Sequence, residues 1–382
     1  MRSDVKRVLV VDDSSTMRNV ICDFISGESD FEVAGTASNG IEAVEKHEEL
    51  RPDIVTLDLQ MPRMQGIDAL DAIIERRATA VIVVSSLTKR SAEITMQALE
   101  RGAFDYISKP DARTDSDMFL DLLLRKLRAS AHADVRRVLE IRQERMKQLR
   151  QRQQSRNCTP QSDKVSEAKK FQNCCVAIGI STGGPPALAS LFECLRPPLP
   201  PIVIVQHMPE MFTGSFAARL DACSDIKVTE ATGGESLRPN EALLAPGGKH
   251  LRLIRKRGTV VTDIDQEQPA VSGHKPSVDV MMRDAAAAFV DRCIGVIMTG
   301  MGFDGVAGCE AISSGGGLVL GQDEPSSDVY GMNKAAFKAG YVDLQFSLNE
   351  LPDLIKAKCG ELFEMPGTSA VTTSSLADVS IG

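Results

Sequence analysis

The sequence GISTGGPP at residues 179–186 separates a short apolar run from a helical pattern and decides the fold of the second half of the chain. The apolar run covers residues 174–178, and the helical pattern covers residues 187–195. This order predicts a buried strand, a sharp turn and a helix. Ser181 then lies at the carboxyl end of a strand, beside a helix N-terminus with free backbone N–H groups. The position suits a nucleophile, although a phosphate-binding turn or an ordinary tight turn has the same pattern.

Two glycines follow this serine. Gly183 and Gly184 have no side chains, so the backbone N–H groups of the turn can approach a reacting oxygen. Both are therefore candidate donors to a negatively charged oxygen. Neither GxGxxG nor GxxxxGK[ST] is present at this turn, which counts against nucleotide binding.

Length and composition indicate a globular protein of two domains. The 382 residues exceed the usual size of one hydrophobic core, and the sequence contains no apolar run long enough to span a membrane. We therefore expect a cytoplasmic protein without membrane insertion. The nine cysteines include no CxxC pair and lie mostly in apolar segments, which indicates reduced thiols. The five histidines form no HExxH motif, so a zinc site is not expected.

Charge is unevenly distributed along the chain, whose formal net charge is −8. Residues 125–170 contain 14 Lys and Arg against 5 Asp and Glu, which leaves about −17 on the remainder and marks a boundary. We predict a first domain at 1–128, a basic helical and flexible linker at 129–170, a second domain at 171–363, and a disordered tail at 364–382. The linker contains no Phe, Tyr or Trp, so contact with an acidic domain or partner is favoured over nucleic-acid binding.

Five apolar runs alternate with helical patterns in the first domain. They lie at residues 7–11, 31–35, 54–57, 80–84 and 106–107. Strands that alternate with helices form a parallel sheet covered on both faces, and sites form at the carboxyl ends of the strands. The polar residues at these ends are Asp12, Asp13, Asp58, Ser85 and Lys109.

These residue types favour a site for phosphoryl acceptance. Three carboxylates at one edge of a sheet repel one another unless a hard cation such as Mg²⁺ neutralises them. The hydroxyl of Ser85 and the ammonium of Lys109 complete a site in which a carboxylate accepts a phosphoryl group. Each aspartate alone is typical of a turn or a helix cap, so the prediction depends on the whole set.

Two more strand ends in the second domain carry polar side chains. His207 follows an apolar run at 201–205, and Asp304 follows another at 293–298. In a parallel sheet, both would lie at the same edge as Ser181. A hydroxyl, an imidazole and a carboxylate are the groups needed for base-activated nucleophilic catalysis. Taken alone, a histidine such as His207 is more often a capping or packed residue.

The first domain resembles the response-regulator receiver family over about residues 5–127. The motifs that carry the resemblance are Val11-Asp12-Asp13-Ser14, Asp58 with Met61-Pro62 and Gly66, Ser85-Ser86, and Lys109-Pro110. The resemblance implies a flavodoxin-like (βα)5 domain that a histidine kinase phosphorylates on Asp58. It implies that Ser85 and Lys109 hold the phosphoryl group and that Tyr106 moves with the switch. The implied Mg²⁺ ligands are Asp12, Asp13, Asp58 and the backbone of Gln60.

The second domain resembles, more closely, the catalytic domain of chemotaxis protein-glutamate methylesterases over about residues 171–363. Five blocks agree in order: STGGP at 181–185, QHMP at 206–209, APGGKH at 245–250, HKPSVD at 274–279 and TGMGFDG at 299–305. The resemblance implies a doubly wound, mostly parallel α/β domain. It also implies a serine hydrolase, without a cofactor in the esterase site, that cleaves glutamate methyl esters on methyl-accepting chemotaxis receptors and deamidates receptor glutamines.

The resemblance also implies roles for residues of the second domain. Ser181 is the nucleophile, His207 is the general base, and Asp304 orients the imidazole. The Met301 backbone N–H lies in the oxyanion hole, and Thr182 assists at the site. Two further positions depart from the family pattern or are variable in it: Asn333 stands where proline is usual, and Phe303 where smaller or polar residues are common. We expect neither to abolish activity.

The leading hypothesis is a monomeric enzyme whose receiver restrains a serine esterase until Asp58 is phosphorylated. The alternative is a response regulator with a DNA-binding or nucleotide-binding output. A DNA-binding output predicts a basic recognition helix in residues 171–382, where the sequence has instead Gly-rich strand ends and an acidic balance.

Overall fold

Five strands form the central sheet of the first domain in the computed structural model, which describes residues 5–86, 88–110, 116–154, 171 and 173–363. They are β1 (Lys6–Val11), β2 (Phe31–Ala37), β3 (Ile54–Asp58), β4 (Ala80–Ser85) and β5 (Asp105–Ser108). Their order in the sheet is β2-β1-β3-β4-β5, and neighbouring strands are parallel. This is the flavodoxin-like order, so the predicted fold of the first domain is confirmed.

Helices cover both faces of this sheet. They are α1 (Ser15–Ser26), α2 (Gly40–Leu50), α3 (Gly66–Arg76), α4 (Lys89–Glu100) and α5 (Ser116–His132). Side chains alternate along β1, so Val8 and Val10 join one apolar cluster, and Leu9 and Val11 join another. Because both faces of each strand are buried, the strands are continuous apolar runs in the sequence.

The predicted helical extension after the first domain is α6 (Val135–Gln154). It begins shortly after α5 ends, and Val138 and Leu139 are buried on one of its faces. The predictions of flexibility up to residue 170 and of disorder at 364–382 concern residues that, apart from 151–154 in α6, lie outside the described ones.

Seven strands form the sheet of the second domain. They are β6 (Cys175–Ile180), β7 (Ile202–Gln206), β8 (Lys227–Glu230), β9 (Glu241–Leu244), β12 (Cys293–Ile297), β13 (Leu318–Gln322) and β14 (Leu344–Phe346). Their order is β14-β13-β12-β6-β7-β9-β8, with parallel pairing throughout. The prediction of a doubly wound parallel sheet is therefore confirmed, and the central strands β12, β6 and β7 are neighbours.

Helices and a small antiparallel sheet surround these strands. The helices are α7 (Gly184–Cys194), α8 (Glu210–Cys223), α9 (Val278–Phe289), α10 (Val306–Ser314), α11 (Met332–Lys338) and α12 (Leu351–Phe363). The antiparallel pair is β10 (His250–Lys256) and β11 (Thr259–Asp265). No helix within the described residues combines the length and the apolar character needed to cross a bilayer.

The two domains pack against each other through α4, α7 and α8, and α6 packs on α7. The ring of Tyr106 lies 5.0 Å from the ring of Phe212 between centroids. Arg219 on α8 forms an ion pair with Glu100 on α4. One apolar cluster contains buried residues of both domains, such as Leu99 and Leu188. The receiver therefore lies against the helices that follow Ser181 and His207.

Candidate active site and phosphorylation site

Ser181, His207 and Asp304 lie at or just beyond the carboxyl ends of three adjacent strands, β6, β7 and β12. The Ser181 backbone N–H donates to the Thr299 carbonyl at 3.0 Å, and the His207 N–H donates to the Ile180 carbonyl at 3.2 Å. The parallel register therefore brings the three predicted residues to one edge of the sheet.

Asp304 and His207 form a buried pair. The Nε2 atom of His207 lies 2.9 Å from Oδ2 of Asp304, and the two side chains are 8% and 0% exposed. Burial raises the pKa of Asp304, but its hydrogen bond to His207, the charge of His207 and the backbone N–H groups of Asp279 and Val278 together lower the pKa below its usual value. Asp304 is therefore a carboxylate that can stabilise a protonated imidazole.

The N-terminus of α9 also holds Asp304. The Ser277 hydroxyl donates to Oδ1 at 2.8 Å, and the Val278 N–H donates to Oδ2 at 2.7 Å. The Asp279 N–H donates to Oδ1 at 3.1 Å. A helix N-terminus favours an anion, so these donors fix the carboxylate and leave it ionised. The HKPSVD block contains all three residues, but nothing in the sequence showed that they would meet Asp304.

His207 has one ring nitrogen left for proton transfer. Because Nε2 bonds to Asp304, Nδ1 is the nitrogen that can accept a proton, and it is buried without a hydrogen-bond partner among the described residues. A hydrogen bond from Ser181 to Nδ1 is therefore not formed in this arrangement. Catalytic hydrogen bonds are often long before substrate binds, so this does not exclude Ser181 as the nucleophile.

His274 stacks on His207, which the sequence did not predict. The ring centroids are 3.7 Å apart, and the ring planes differ by 4°. Burial and, to a smaller extent, the nearby charge of His207 together lower the pKa of His274 to about 3. A neutral ring on this face fixes the plane of the His207 imidazole without placing a second positive charge beside it.

The low pKa of His274 predicts that the protein loses stability in mild acid. The unfolded chain protonates this histidine below about pH 6.5, whereas the folded chain does so only near pH 3, so stability falls as pH falls through this interval. In His274→Phe, we expect the loss of unfolding free energy between pH 7 and pH 5 to be smaller by up to about 2 kcal/mol. Urea denaturation at both pH values, followed by circular dichroism, measures this; a pH dependence equal to that of the parent would contradict it.

The turn after Ser181 differs in part from the prediction. The Gly184 N–H donates to the Ser181 carbonyl at 2.8 Å, so it is not free to bind an oxyanion. The prediction that Gly184 is an oxyanion donor is therefore wrong. Gly183 has φ +78°, and a Cβ atom there would lie 2.6 Å from the Cβ of Asp328. A glycine is therefore required at this position by backbone conformation and by space. Met301 follows Gly300, where a Cβ atom would lie 2.8 Å from the Cβ of Ser181, and precedes Gly302, which has φ +93°.

Thr182, predicted to assist at the esterase site, is hydrogen-bonded to the first domain. Its hydroxyl donates to Oδ2 of Asp105 at 2.9 Å, and Lys126 lies 2.6 Å from the same oxygen. Both Thr182 and Asp105 are 5% exposed. The receiver therefore contacts the residue next to the candidate nucleophile.

The predicted acidic site of the first domain is assembled at the carboxyl edge of its sheet. Carboxylate oxygens of Asp12, Asp13 and Asp58 all lie within 4.8 Å of one another. The Lys109 ammonium lies 2.7 Å from Asp12 and 2.7 Å from Asp58. Burial raises the pKa of Asp58, although Lys109 opposes this shift. The hard carboxylate oxygens fit Mg²⁺, and Gln60, whose N–H donates to Asp58 Oδ1 at 2.9 Å, lies beside them.

Ser85 and Tyr106 connect this acidic site with the domain interface. The Ser85 hydroxyl accepts a hydrogen bond from Thr95 on α4 at 2.9 Å. Tyr106 is 5% exposed, packs on Phe212, and its hydroxyl has no hydrogen-bond partner among the described residues. Burial raises the pKa of Tyr106 well above its usual value, so its hydroxyl stays neutral. Ser85 therefore contacts a helix that faces the second domain, and the predicted switch residue Tyr106 contacts the second domain directly.

A receiver fold with an acidic candidate phosphorylation site, joined to a parallel α/β domain with a candidate Ser-His-Asp site, defines a class: response regulators with a hydrolase as output. The chain belongs to the CheB methylesterase family with an N-terminal receiver. The family model of the CheB methylesterase matches residues 176–355, and that of the response regulator receiver domain matches residues 8–116. The matches do not favour a DNA-binding or nucleotide-binding output.

Curated relatives cover almost the whole chain. A protein-glutamate methylesterase/protein-glutamine glutaminase of Pyrococcus horikoshii is 41% identical, covering 91% of this chain and 92% of the relative. Protein-glutamate methylesterase/protein-glutamine glutaminase 1 of Caulobacter vibrioides is 42% identical, and the match covers 90% of this chain and 95% of the relative. Among solved structures, the catalytic domain of the Thermotoga maritima CheB methylesterase is 36% identical in sequence. The match covers 49% of this chain and 98% of the Thermotoga chain, with a TM-score of 0.48.

Proposed function

We propose that this protein is a phosphorylation-regulated protein-glutamate methylesterase that acts in chemosensory adaptation. Its substrates are glutamate methyl esters on methyl-accepting chemotaxis receptors, and it also deamidates receptor glutamines. The buried pair of Asp304 and His207, at the strand edge beside Ser181, carries this proposal. The names of its relatives, which state both activities, support it.

The reaction follows from the residue types at this edge. Ser181 Oγ attacks the ester carbonyl carbon, and His207 takes the hydroxyl proton. The C–O bond to the methoxy group then breaks, and His207 returns the proton to the leaving oxygen, which departs as methanol. Water, activated by the same imidazole, then hydrolyses the acyl-enzyme to glutamate and free Ser181. With a glutamine side chain, the same steps release ammonia.

Asp304 and the loop before it stabilise the charges that develop. The carboxylate holds the imidazolium formed when His207 takes the proton. We assign the Met301 N–H as the donor that stabilises the negative charge on the carbonyl oxygen of the substrate. The Gly183 N–H is the candidate second donor, because the Gly184 N–H is bonded to the Ser181 carbonyl. A preorganised donor of this kind is worth about 10²–10³ in kcat.

The receiver has residues suited to hold Mg²⁺ and to accept a phosphoryl group. The ligands in the proposal are the carboxylates of Asp12, Asp13 and Asp58 and the carbonyl of Gln60. When bound, Mg²⁺ would neutralise negative charge around the phosphoryl group. Asp58 is the acceptor, and Lys109, which already contacts it, balances charge on the phosphoryl oxygens. A chemotaxis histidine kinase is the donor in this proposal.

The packed receiver is proposed to restrain the esterase. It holds the Thr182 hydroxyl through Asp105 and places Tyr106 against α8. A phosphoryl group on Asp58 offers strong acceptors to the Ser85 hydroxyl, which at present bonds to Thr95 on α4. If Ser85 moves towards the phosphoryl group to donate to it, its oxygen leaves the Thr95 hydroxyl, which would release α4 and the contact between Glu100 and Arg219. Phosphorylation thereby favours separation of the domains.

The proposal is tested with a methylated receptor-helix peptide and the full-length protein, with and without acetyl phosphate and Mg²⁺. We expect mass spectrometry to show conversion of the ester to the acid, and acetyl phosphate to raise the rate about tenfold. In Asp58→Asn, the basal rate should persist and the stimulation should vanish.

Asp71→Asn is the matched control, because Asp71 lies on the receiver surface and pairs with Arg101, away from the acidic site. It should be stimulated like the parent. Ester hydrolysis without stimulation, in protein shown to be phosphorylated on Asp58, would contradict the regulatory part alone. Failure to hydrolyse any methylated receptor peptide would contradict the esterase assignment.

A further inference from the structure

Arg142, in the stretch predicted to be a basic linker, is buried. Its side chain, on α6, is 8% exposed, whereas that of Arg136 on the same helix is 82% exposed. A buried guanidinium is costly unless its charge is paired and its N–H groups are bonded. The hydrogen-bond partners of Arg142 therefore indicate its role.

Arg142 is paired with the second domain through Asp328. Its Nη2 and Nε atoms donate to Oδ2 of Asp328 at 2.7 and 3.1 Å. Asp328 is 6% exposed and packs against Gly183, two residues after Ser181. The guanidinium therefore reaches the turn that carries the candidate nucleophile through a single side chain.

The same guanidinium bonds to the receiver. Its Nη1 atom donates to the carbonyls of Ala103 at 2.8 Å and Leu99 at 3.3 Å. These carbonyls lie at and just beyond the C-terminal end of α4, where partial negative charge favours a cation. Neighbouring Leu139 packs at Gly102 in the same loop, since a Cβ atom there would lie 2.9 Å from Leu139 Cδ2. One side chain of the linker thus bridges both domains.

The loop that presents Asp328 is held by the residue that departs from the family pattern. Nδ2 of Asn333 donates to the Gln322 carbonyl and to the Ser327 hydroxyl, both at 2.8 Å. The proline usual at this position has no side-chain donor. Asn333 therefore fixes the residue before Asp328 and, through it, the partner of Arg142.

We propose that Arg142 is the latch that holds the receiver against the esterase domain, so that the linker is part of the switch rather than a tether. This proposal rests on the proposed regulation of the esterase by the receiver, and it names the linker residue that keeps the two domains packed. The latch opens when α4 moves relative to the second domain, because the Leu99 and Ala103 carbonyls belong to the first domain and Asp328 to the second.

Arg142→Ala tests the latch in the full-length protein. Removal of the guanidinium leaves Asp328 buried without its counter-charge in the packed state, so that state becomes less populated. Without acetyl phosphate, we expect methanol release from the methylated peptide at least about tenfold above the parent rate. The ratio of stimulated to basal rate should fall towards one. Arg136→Ala, on the exposed face of α6, should behave like the parent.

Hydrogen exchange separates the latch from the wider regulatory proposal. We expect faster amide exchange at residues 97–103 and 323–330 in Arg142→Ala than in Arg136→Ala, whether or not acetyl phosphate stimulates the parent. If Arg142→Ala fails to fold, as judged by its thermal midpoint, Arg142→Gln carries the test, because it keeps most of the volume and removes the charge. Basal rate and exchange equal to those of the parent in the folded variants would overturn the latch.

Discussion

Ser181→Ala should lower methanol release from a methylated receptor peptide by at least about 10⁴-fold. The variant lacks the hydroxyl that forms the acyl-enzyme, while the pair of His207 and Asp304 stays in place. Residual activity would come from the donors that stabilise the transition state. The measurement is single-turnover methanol release, with mass spectrometry of the protein to detect an acyl-enzyme in the parent.

Ser190→Ala is the control for this prediction. Ser190 lies on α7 in the same domain, and its hydroxyl bonds to the Pro186 carbonyl within the helix. It should keep the parent rate. Activity retained in Ser181→Ala would refute the nucleophile assignment. Another residue at this edge of the sheet would then have to attack the ester.

Asp304→Asn should lower kcat by about 10³–10⁴-fold with little change in KM. An amide carries no charge to stabilise the His207 imidazolium, and its NH₂ group cannot accept the hydrogen bonds that the carboxylate accepts from Ser277, Val278 and Asp279. The stabilisation lost is therefore mainly that of the charged transition state. The measurement is kcat and KM for methyl-ester hydrolysis over a range of pH.

Asp284→Asn provides the comparison for Asp304→Asn. Asp284 lies on α9 and pairs with Arg252, on the side of the domain that carries β10. It should keep the parent kcat and its pH profile. A parent-like kcat in Asp304→Asn, with the fold intact by circular dichroism, would remove Asp304 from the proposed mechanism.

Much of the fold and of both candidate sites could be predicted because each predicted residue follows a buried parallel strand. Strand ends are marked in the sequence by an apolar run and a turn, and all such ends lie at one edge of their sheet. That rule placed Asp58 with Lys109, and Ser181 with His207 and Asp304, across long stretches of chain. It required no knowledge of side-chain packing.

The sequence by itself determined the two parallel sheets and the residues at their carboxyl edges, because apolar runs that end in turns mark the strands, and parallel strands bring these ends to one edge. Only the tertiary structure decided the stack of His274 on His207, the bond from Thr182 to Asp105 and the burial of Arg142. These contacts join elements that are distant in sequence and belong to no shared periodic pattern. Their geometry depends on how whole helices and domains pack, a property of the folded surfaces rather than of any local stretch of chain.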